Sequence, residues 1–309
     1  MKGFICIILV FLLFQGHAQN MTKQDRQYLL QLQDSMKQSN TQLLQGINFS
    51  DRYQADSVFT RMLVRALRTK HSFEFAFDSL LSISRLSAPD SSFRIFTWQL
   101  LVNENTIRQH GAIQIRTADG TLRLYPLIDR SDVTNAPADT IANHLGWIGA
   151  IYYKIILHTY QGHSYYTLLG FDENNIRSDK KIIEVLQFDQ NGPVFGNRCF
   201  EMGTKGAETK MARYIMEFKK QSGPRLTYDD QLQMIVMEHL ISETNEPNKK
   251  WTLIGDGDYE GFQWVNGKWV YTEKVFNQMT PEGQAPIPNK ILDEKGKLDE
   301  SKLKGVPKD

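Results

Sequence analysis

Short apolar runs separated by turn residues fill the chain from Phe93 onward, and they restrict its fold more than any other feature. The runs are rich in β-branched and aromatic residues, which favour strands over helices. Strands are predicted at 93–102, 112–117, 122–127, 148–159, 164–171, 181–188, 194–202, 213–219, 234–240, 259–264 and 269–275.

Dipeptides that end in glycine lie between several of these strands: Asp119-Gly120, Gln161-Gly162, Asn191-Gly192 and Asn266-Gly267. Such dipeptides readily supply the positive φ angles of tight hairpin turns. Short turns join antiparallel neighbours, whereas a parallel pair of strands needs a long crossover. The sequence therefore predicts a mostly antiparallel, meander-type sheet over residues 91–276.

Helical patterns precede the strands, so residues 19–90 are predicted to be a helical N-terminal region. Thr22 is followed by an aspartate in the form of a capping box, which indicates the start of a helix. A second helix is indicated by apolar residues at helical spacing over 58–67. A third, shorter helix is predicted at 73–86 and ends before Pro89. The fold class is therefore α+β, with helices and sheet packed as one unit.

The first residues have the parts of a cleavable export signal: one lysine, an uncharged apolar stretch over 4–14 and small residues up to Ala18. We expect cleavage after Ala18, so residues 1–18 are predicted to be a signal peptide. The apolar stretch is about half of the roughly 20 residues that a membrane-spanning helix needs. Cys6 lies inside the stretch rather than after it, which is not the pattern of a lipoprotein. The sequence predicts a soluble periplasmic or secreted protein without a transmembrane segment.

Composition narrows the partners and the covalent structure. The chain has 36 Lys and Arg against 35 Asp and Glu, so it has no excess of positive charge to hold nucleic acid or an anionic membrane. After signal cleavage Cys199 is the only thiol, and its apolar neighbours predict a buried structural residue. Residues 277–309 combine proline with alternating charges, which predicts a flexible charged tail.

A series of local patterns also resembles a known group of proteins. The patterns are Phe77-Asp78-Ser79-Leu80, Ser87-Ala88-Pro89-Asp90, Tyr165-Tyr166-Thr167-Leu168-Leu169-Gly170-Phe171-Asp172, Lys180-Lys181-Ile182-Ile183-Glu184-Val185-Leu186, Pro193-Val194-Phe195-Gly196 and Asp258-Tyr259-Glu260-Gly261-Phe262. In this order they resemble an uncharacterised group of exported proteins of Bacteroidota-type bacteria. The resemblance implies export and one continuous unit from the helices to the last hairpin. It implies no activity and no catalytic residues.

The strongest metal-binding pattern is an acidic segment in which Asp256, Asp258 and Glu260 alternate with glycine or tyrosine. Oxygen ligands at every second position are typical of the first half of a calcium loop, so these three residues are the candidate metal ligands. The pattern is incomplete, because Gly267 stands where the loop's last carboxylate belongs. The alternative is an ordinary turn that leads into the final hairpin. A second acidic turn begins at Asp172 and has the same two interpretations.

Other candidate chemistry is weaker. The histidines lack the spacing of a zinc site, although His158 and His163 flank a turn and could face each other across two strands. The sequence indicates no cofactor. We expect a non-enzymatic binding or structural protein of the cell envelope, with an envelope protein, a peptide or a glycan as partner. The alternative is an exported hydrolase assembled only in three dimensions, from Asp256, Asp258, Glu260 and His239.

Overall fold

In the computed structural model, which describes residues 21–103, 105–203 and 209–276, two helices precede a series of strands. The helices are α1 (Lys23–Gln45) and α2 (Phe49–Leu67). The described residues through Val275 belong to one compact unit. The predicted signal peptide and the predicted flexible tail lie outside the described residues.

The strands follow α2 with short connections. In chain order they are β1 (Ser84–Ser87), β2 (Phe93–Asn103), β3 (Thr106–Ile115), β4 (Arg123–Ile128), β5 (Ala142–Asn143), β6 (Ile151–Tyr160), β7 (His163–Asp172), β8 (Ser178–Asp189), β9 (Gly192–Phe195), β10 (Phe200–Met202), β11 (Thr209–Met211), β12 (Arg213–Lys219), β13 (Leu226–Asp229), β14 (Met234–Ser242), β15 (Leu253–Val265) and β16 (Lys268–Thr272). Single 3₁₀ turns lie at Ser72–Glu74, Pro137–Asp139 and Lys250–Thr252.

These strands form three sheets, named here by their place along the chain. The N-terminal sheet has the order β1-β2-β3-β4. The central sheet has the order β5-β9-β8-β7-β6, and β12 also pairs with β8. The C-terminal sheet has the order β11-β10-β16-β15-β14-β13.

The expected α+β class with mostly antiparallel strands is confirmed, because β10 and β16 are the one parallel pair among these strands. The single sheet that we expected is instead three sheets. Their strand order also departs from one meander, since β10 reaches across to β16 and β12 returns to β8.

The sheets are stacked in layers with the helices on one outer face. Phe96 and Trp98 of β2 pack with residues of α1 and α2. Phe93 and Ile95 of the same strand pack with residues of the central sheet. The opposite face of the central sheet packs on the C-terminal sheet. Because β2 is buried on both faces, its first six residues are all buried, including the polar Arg94 and Thr97.

The third predicted helix, at 73–86, is wrong. This segment contains a 3₁₀ turn at Ser72–Glu74, further turns and then β1. Phe77 has φ 54°, which interrupts any helix. The buried side chain of Arg94 binds two backbone oxygens of the segment, so a tertiary contact holds the chain in this irregular path.

The predicted strand at 194–202 is split into β9 and β10, and Cys199 lies in the turn between them. The prediction that Cys199 is buried is confirmed, since its exposed fraction is 3%. Burial raises the pKa of its thiol to about 12, which keeps the sulfur protonated and unreactive at neutral pH.

Candidate functional site

A cleft of about 620 Å³ opens between α2 and the N-terminal sheet. Its apolar wall is made of Trp98, Leu100, Val102, Pro126, Leu127 and Ile128. Its polar groups are Tyr53, Asp56, Ser57, Thr60, Arg61, Arg108 and His110. The volume is in the range of small-molecule sites, roughly 300–1,000 Å³, and such sites combine apolar walls with a few polar groups.

Strand pairing assembles the floor of this cleft. In the antiparallel pair β2 and β3, Trp98 is opposite His110 and Leu100 is opposite Arg108. In the pair β3 and β4, Ile128 is opposite His110. Directly opposite residues point to the same face of a sheet. The imidazole of His110 is therefore set between an indole and an aliphatic side chain.

A carboxylate of α2 fixes this imidazole. Asp56 Oδ1 accepts a hydrogen bond from Trp98 Nε1 at 2.7 Å and lies 2.9 Å from His110 Nδ1. Asp56 and Trp98 are both buried. With a carboxylate as its neighbour, Nδ1 carries the proton of the neutral ring. Nε2 has no hydrogen-bond partner among the described residues and is the atom that a ligand in the cleft would meet.

Two further groups of the cleft have spare hydrogen-bonding capacity. Thr60 Oγ1 is buried without a partner in the described part of the chain. Arg61 is exposed and donates to Ser57 Oγ at 3.2 Å, and none of the described carboxylates forms an ion pair with it. Arg108, by contrast, is paired with Asp132 at 2.8 Å. The cleft thus has an exposed cation, Arg61, and a buried carboxylate, Asp56, beside an apolar wall.

Sequence reasoning missed this site because its parts are far apart in the chain. Asp56 and His110 are separated by 54 positions. One signal was available: Asp56 stands three residues before Phe59 and seven before Leu63, both on the buried face of α2. A carboxylate at helical spacing with core residues needs a buried partner, and the partners are Trp98 and His110.

The three carboxylates predicted to bind calcium lie along β15, two of them in a bulge. Between the pairs Glu238–Tyr259 and Leu240–Gly255, β15 has three residues where β14 has only His239. Gly257 has φ 89° at the centre of the bulge, a conformation that favours glycine. The ordinary turn that we considered as the alternative is therefore a bulged strand.

The bulge brings His239 and Asp256 together but not the three carboxylates. Asp256 Oδ2 lies 2.8 Å from His239 Nδ1, and its Oδ1 accepts the backbone N–H of Asp258 at 3.0 Å. Glu260 is buried and accepts a hydrogen bond from Tyr271 Oη at 2.5 Å. Within residues 21–103, 105–203 and 209–276, no group of three or more His, Cys, Asp or Glu is placed to hold a metal ion. His239 and Glu260 do line a cavity of about 290 Å³.

The His239–Asp256 pair predicts a small, pH-dependent contribution to stability. The hydrogen bond that the His239 ring donates to Asp256 raises the pKa of His239, so this contribution is complete below about pH 6.5 and is lost as pH rises through the raised value. Partial burial opposes ionisation of Asp256, but hydrogen bonds from His239 and Asp258 lower its pKa, so its contribution is lost only in acid. We expect His239→Gln to cost less than about 1 kcal/mol near pH 5 and almost nothing near pH 9, because the pair is partly exposed.

Urea unfolding of the wild type and of His239→Gln at both pH values measures this difference. His163→Gln, at an exposed histidine, is the matched control and should show no such pH dependence. An equal loss of stability at pH 5 and pH 9 would contradict the ion-pair explanation.

The other histidine pair that we considered is not formed. His158 is opposite Tyr165, and His163 is opposite Tyr160, so the two histidines do not face each other. His158 instead stacks on Trp264, with ring centroids 4.8 Å apart. Burial lowers its pKa, which favours the neutral ring of a packed aromatic cluster.

Comparisons of the chain with protein-family models, with curated protein sequences and with solved structures found no match. Among the described helices, none has the length and apolar character needed to cross a membrane. What the protein binds must therefore be inferred from its own residues.

Proposed function

We propose that the protein is a non-enzymatic binding protein that acts outside the cytoplasm and holds a small apolar molecule with an anionic group. The observation that carries the proposal is the cleft between α2 and the N-terminal sheet, with its apolar floor and its unpaired Arg61. Export rests on the signal predicted for residues 1–18. The expected ligand is an aliphatic or aromatic carboxylate.

The chemistry of the cleft supports this class of ligand. Val102, Pro126 and Ile128 offer solvent-accessible apolar surface, whose burial against a ligand contributes about 25 cal/mol per Å². Arg61 lies exposed at the rim, where it can donate to the anionic group of the ligand. One polar end and one apolar end together match an amphipathic small molecule.

Calorimetric titration with decanoate and with decanol tests the proposal. We expect decanoate to bind about 2–5-fold more tightly than decanol, since an exposed ion pair contributes about 0.2–1 kcal/mol. Arg61→Gln should remove this preference. Arg65→Gln changes an exposed arginine of the same helix that does not line the cleft, so it should leave the preference unchanged.

A second variant tests the place of binding. Thr60→Trp puts a large ring into the cleft and should weaken both ligands by about 10-fold or more, without loss of the folded circular-dichroism spectrum. Wild-type affinity for decanoate in folded Thr60→Trp would show that the cleft is not the site.

The fixed Asp56–His110 pair favours one second candidate, the exported hydrolase. In that case His110 Nε2 would take a proton from a water molecule that attacks an ester carbonyl in the cleft. Binding is the better-supported function, because it uses the apolar wall and Arg61 of the cleft, whereas the hydrolase rests on the Asp56–His110 pair alone. Turnover of p-nitrophenyl decanoate that disappears in His110→Asn would identify the hydrolase. A rate equal to that of buffer, with decanoate binding intact, would reject it.

A further inference from the structure

A second, more polar cavity of about 190 Å³ lies beside the cleft, and Arg108 forms part of the wall of both. The groups that matter for its chemistry are Arg108, Asp129, Asp132, Asp172, Asn174 and Lys180. They come from β3, from the segment after β4, from the acidic turn that begins at the last residue of β7, and from β8. The acidic turn that begins at Asp172 is the second candidate cation site of the sequence, and its residues do not line the cleft.

Asp172 is the most informative group of this cavity. Its exposed fraction is only 7%, and burial raises the pKa of its carboxyl. Its Oδ1 accepts two hydrogen bonds, from Gln109 Nε2 and from the backbone N–H of Asn174, both at 2.9 Å. Its Oδ2 has no hydrogen-bond partner among the described residues. Because Asp172 lines the cavity, a ligand there can supply the donor that this oxygen lacks.

Neighbouring groups fix Gln109, which donates to Asp172, before any ligand binds. Asp129 Oδ2 accepts the backbone N–H of Gln109 at 2.9 Å, and its Oδ1 accepts from Ser131 and from the N–H of Gly149. A Cβ at Gly149 would lie 2.4 Å from Gln109 Cβ, so only glycine permits this close packing. Such preorganisation lowers the entropy cost of binding.

The charges of the wall decide which class of ligand fits. Three carboxylates (Asp129, Asp132 and Asp172) against two cations (Arg108 and Lys180) leave a net charge of −1 when all are ionised, so an anion is disfavoured. The described residues have no group placed to hold a metal ion. Lys180 Nζ already donates to Asn174 Oδ1 at 2.7 Å, and Arg108 is paired with Asp132. What remains is a wall of oriented hydrogen-bonding groups with little net charge.

We propose that this cavity binds one neutral sugar unit of a glycan, with a sugar hydroxyl donating to Asp172 Oδ2. Oriented carboxylate and amide groups match the adjacent hydroxyls of a sugar ring, and the small volume of the cavity favours one unit over several. An adjoining cavity of about 380 Å³ shares Asn105 with the first and is lined by Trp251, whose side chain is 41% exposed. The indole gives the next sugar unit an apolar surface on which to stack.

Saturation-transfer NMR on the full chain tests the proposal with the methyl glycosides of glucose, galactose, mannose and N-acetylglucosamine, each at about 20 mM to cover millimolar affinity. Lactose, maltose and chitobiose supply the second unit, and spermidine tests for a cation instead. We expect at least one sugar to give a signal and spermidine to give none.

Asp172→Asn is the sharpest variant, because the asparagine oxygen can keep both hydrogen bonds now made to Oδ1 while an NH₂ group replaces Oδ2. It should weaken sugar binding about 10-fold or more and leave the melting temperature nearly unchanged. Asp230→Asn, at an exposed carboxylate outside both cavities, is the control and should bind as the wild type does.

Trp251→Ala is the second variant, and it should weaken the disaccharide more than the monosaccharide. The absence of any sugar signal from folded protein would overturn the proposal. So would a sugar signal that both variants leave unchanged, or binding of spermidine that Asp172→Asn abolishes. These outcomes are independent of decanoate binding, which tests the cleft alone.

Discussion

Replacement of Arg213 by methionine is expected to destabilise the protein by about 3–5 kcal/mol, because it leaves the buried Glu184 carboxylate without its cation. Arg213 and Glu184 are directly opposite each other on β12 and β8, and both side chains are fully buried. Arg213 Nε donates to Glu184 Oε2 at 3.0 Å. The hydroxyl of Tyr152 donates to the other oxygen of Glu184 and accepts from Trp147 Nε1 at 2.7 Å. Both carboxylate oxygens thus have partners, and one substitution removes the only cation that pairs with Glu184 among the described residues.

Differential scanning calorimetry and urea unfolding measure this loss, and a fall in the melting temperature of about 6–20 °C is expected. The matched control is Lys219→Met, because Lys219 lies on the same strand and pairs with Glu243 at 2.6 Å on the surface. The control should lose less than about 1 kcal/mol. A similar loss from both variants would contradict the role assigned to burial.

A double variant separates the ion pair from the rest of the network. Glu184→Leu with Arg213→Met removes both charges and should recover much of the stability, since apolar replacement of a buried pair is often neutral. It should not restore order at Pro137–Asp139, because Arg213 also donates to the carbonyls of Pro137 and Thr140. Hydrogen exchange of this turn should therefore stay faster than in the wild type.

The local chemistry of the chain was enough to predict most of the strands and their turns. Gln161 and Gly162 both have positive φ, as do Asn266 and Gly267, so these dipeptides form the hairpin turns that their composition predicts. Hydrogen bonding between neighbouring strands then follows directly from the turn. The short strands β1, β5, β11 and β13 were missed, and of these four only β5 pairs with a strand far along the chain, β9.

The division into three sheets could not be predicted from pattern alone. Ile182 packs towards the N-terminal sheet, while its neighbour Ile183 packs towards the C-terminal sheet. A strand buried on both faces gives a continuous apolar run, and such a run does not say how many layers enclose it. The parallel contact of β10 with β16 likewise joins residues that are far apart in sequence.

The candidate site was harder to predict than the fold, because the residues that form it are also far apart in sequence. Asp256 and His239 were singled out, and the structure pairs them, but through a strand bulge that no local pattern indicated. Asp56 and His110 were not singled out, because neither has a partner near it in sequence. A carboxylate on the apolar face of a predicted helix is the signal that such a site leaves.

The segment between α2 and β1 is where sequence reasoning failed most, and its structure depends on one buried arginine. Arg94 of β2 donates to Gln114 Oε1 at 2.8 Å, to the carbonyl of Ser72 at 2.8 Å and to the carbonyl of Phe75 at 2.5 Å. Its guanidinium lies 4.9 Å from the ring centroid of Phe96. Among the described carboxylates none pairs with it, so its donors serve the backbone instead.

Arg94→Met should therefore cost about 3 kcal/mol, because it leaves buried acceptors without donors in a segment that has no regular structure to replace them. Arg94→Lys should recover only part of this loss, since one ammonium cannot reproduce the planar fork that reaches three acceptors. Arg116→Met is the matched control: Arg116 is exposed, lies 5.6 Å from the ring of Phe73 in the same segment, and should change stability by less than about 1 kcal/mol. Urea unfolding gives the free energies, and hydrogen exchange at Ser72–Glu74 reports whether the segment itself has loosened. Unchanged exchange there in Arg94→Met, even with a lower melting temperature, would contradict the claim that this side chain orders the segment.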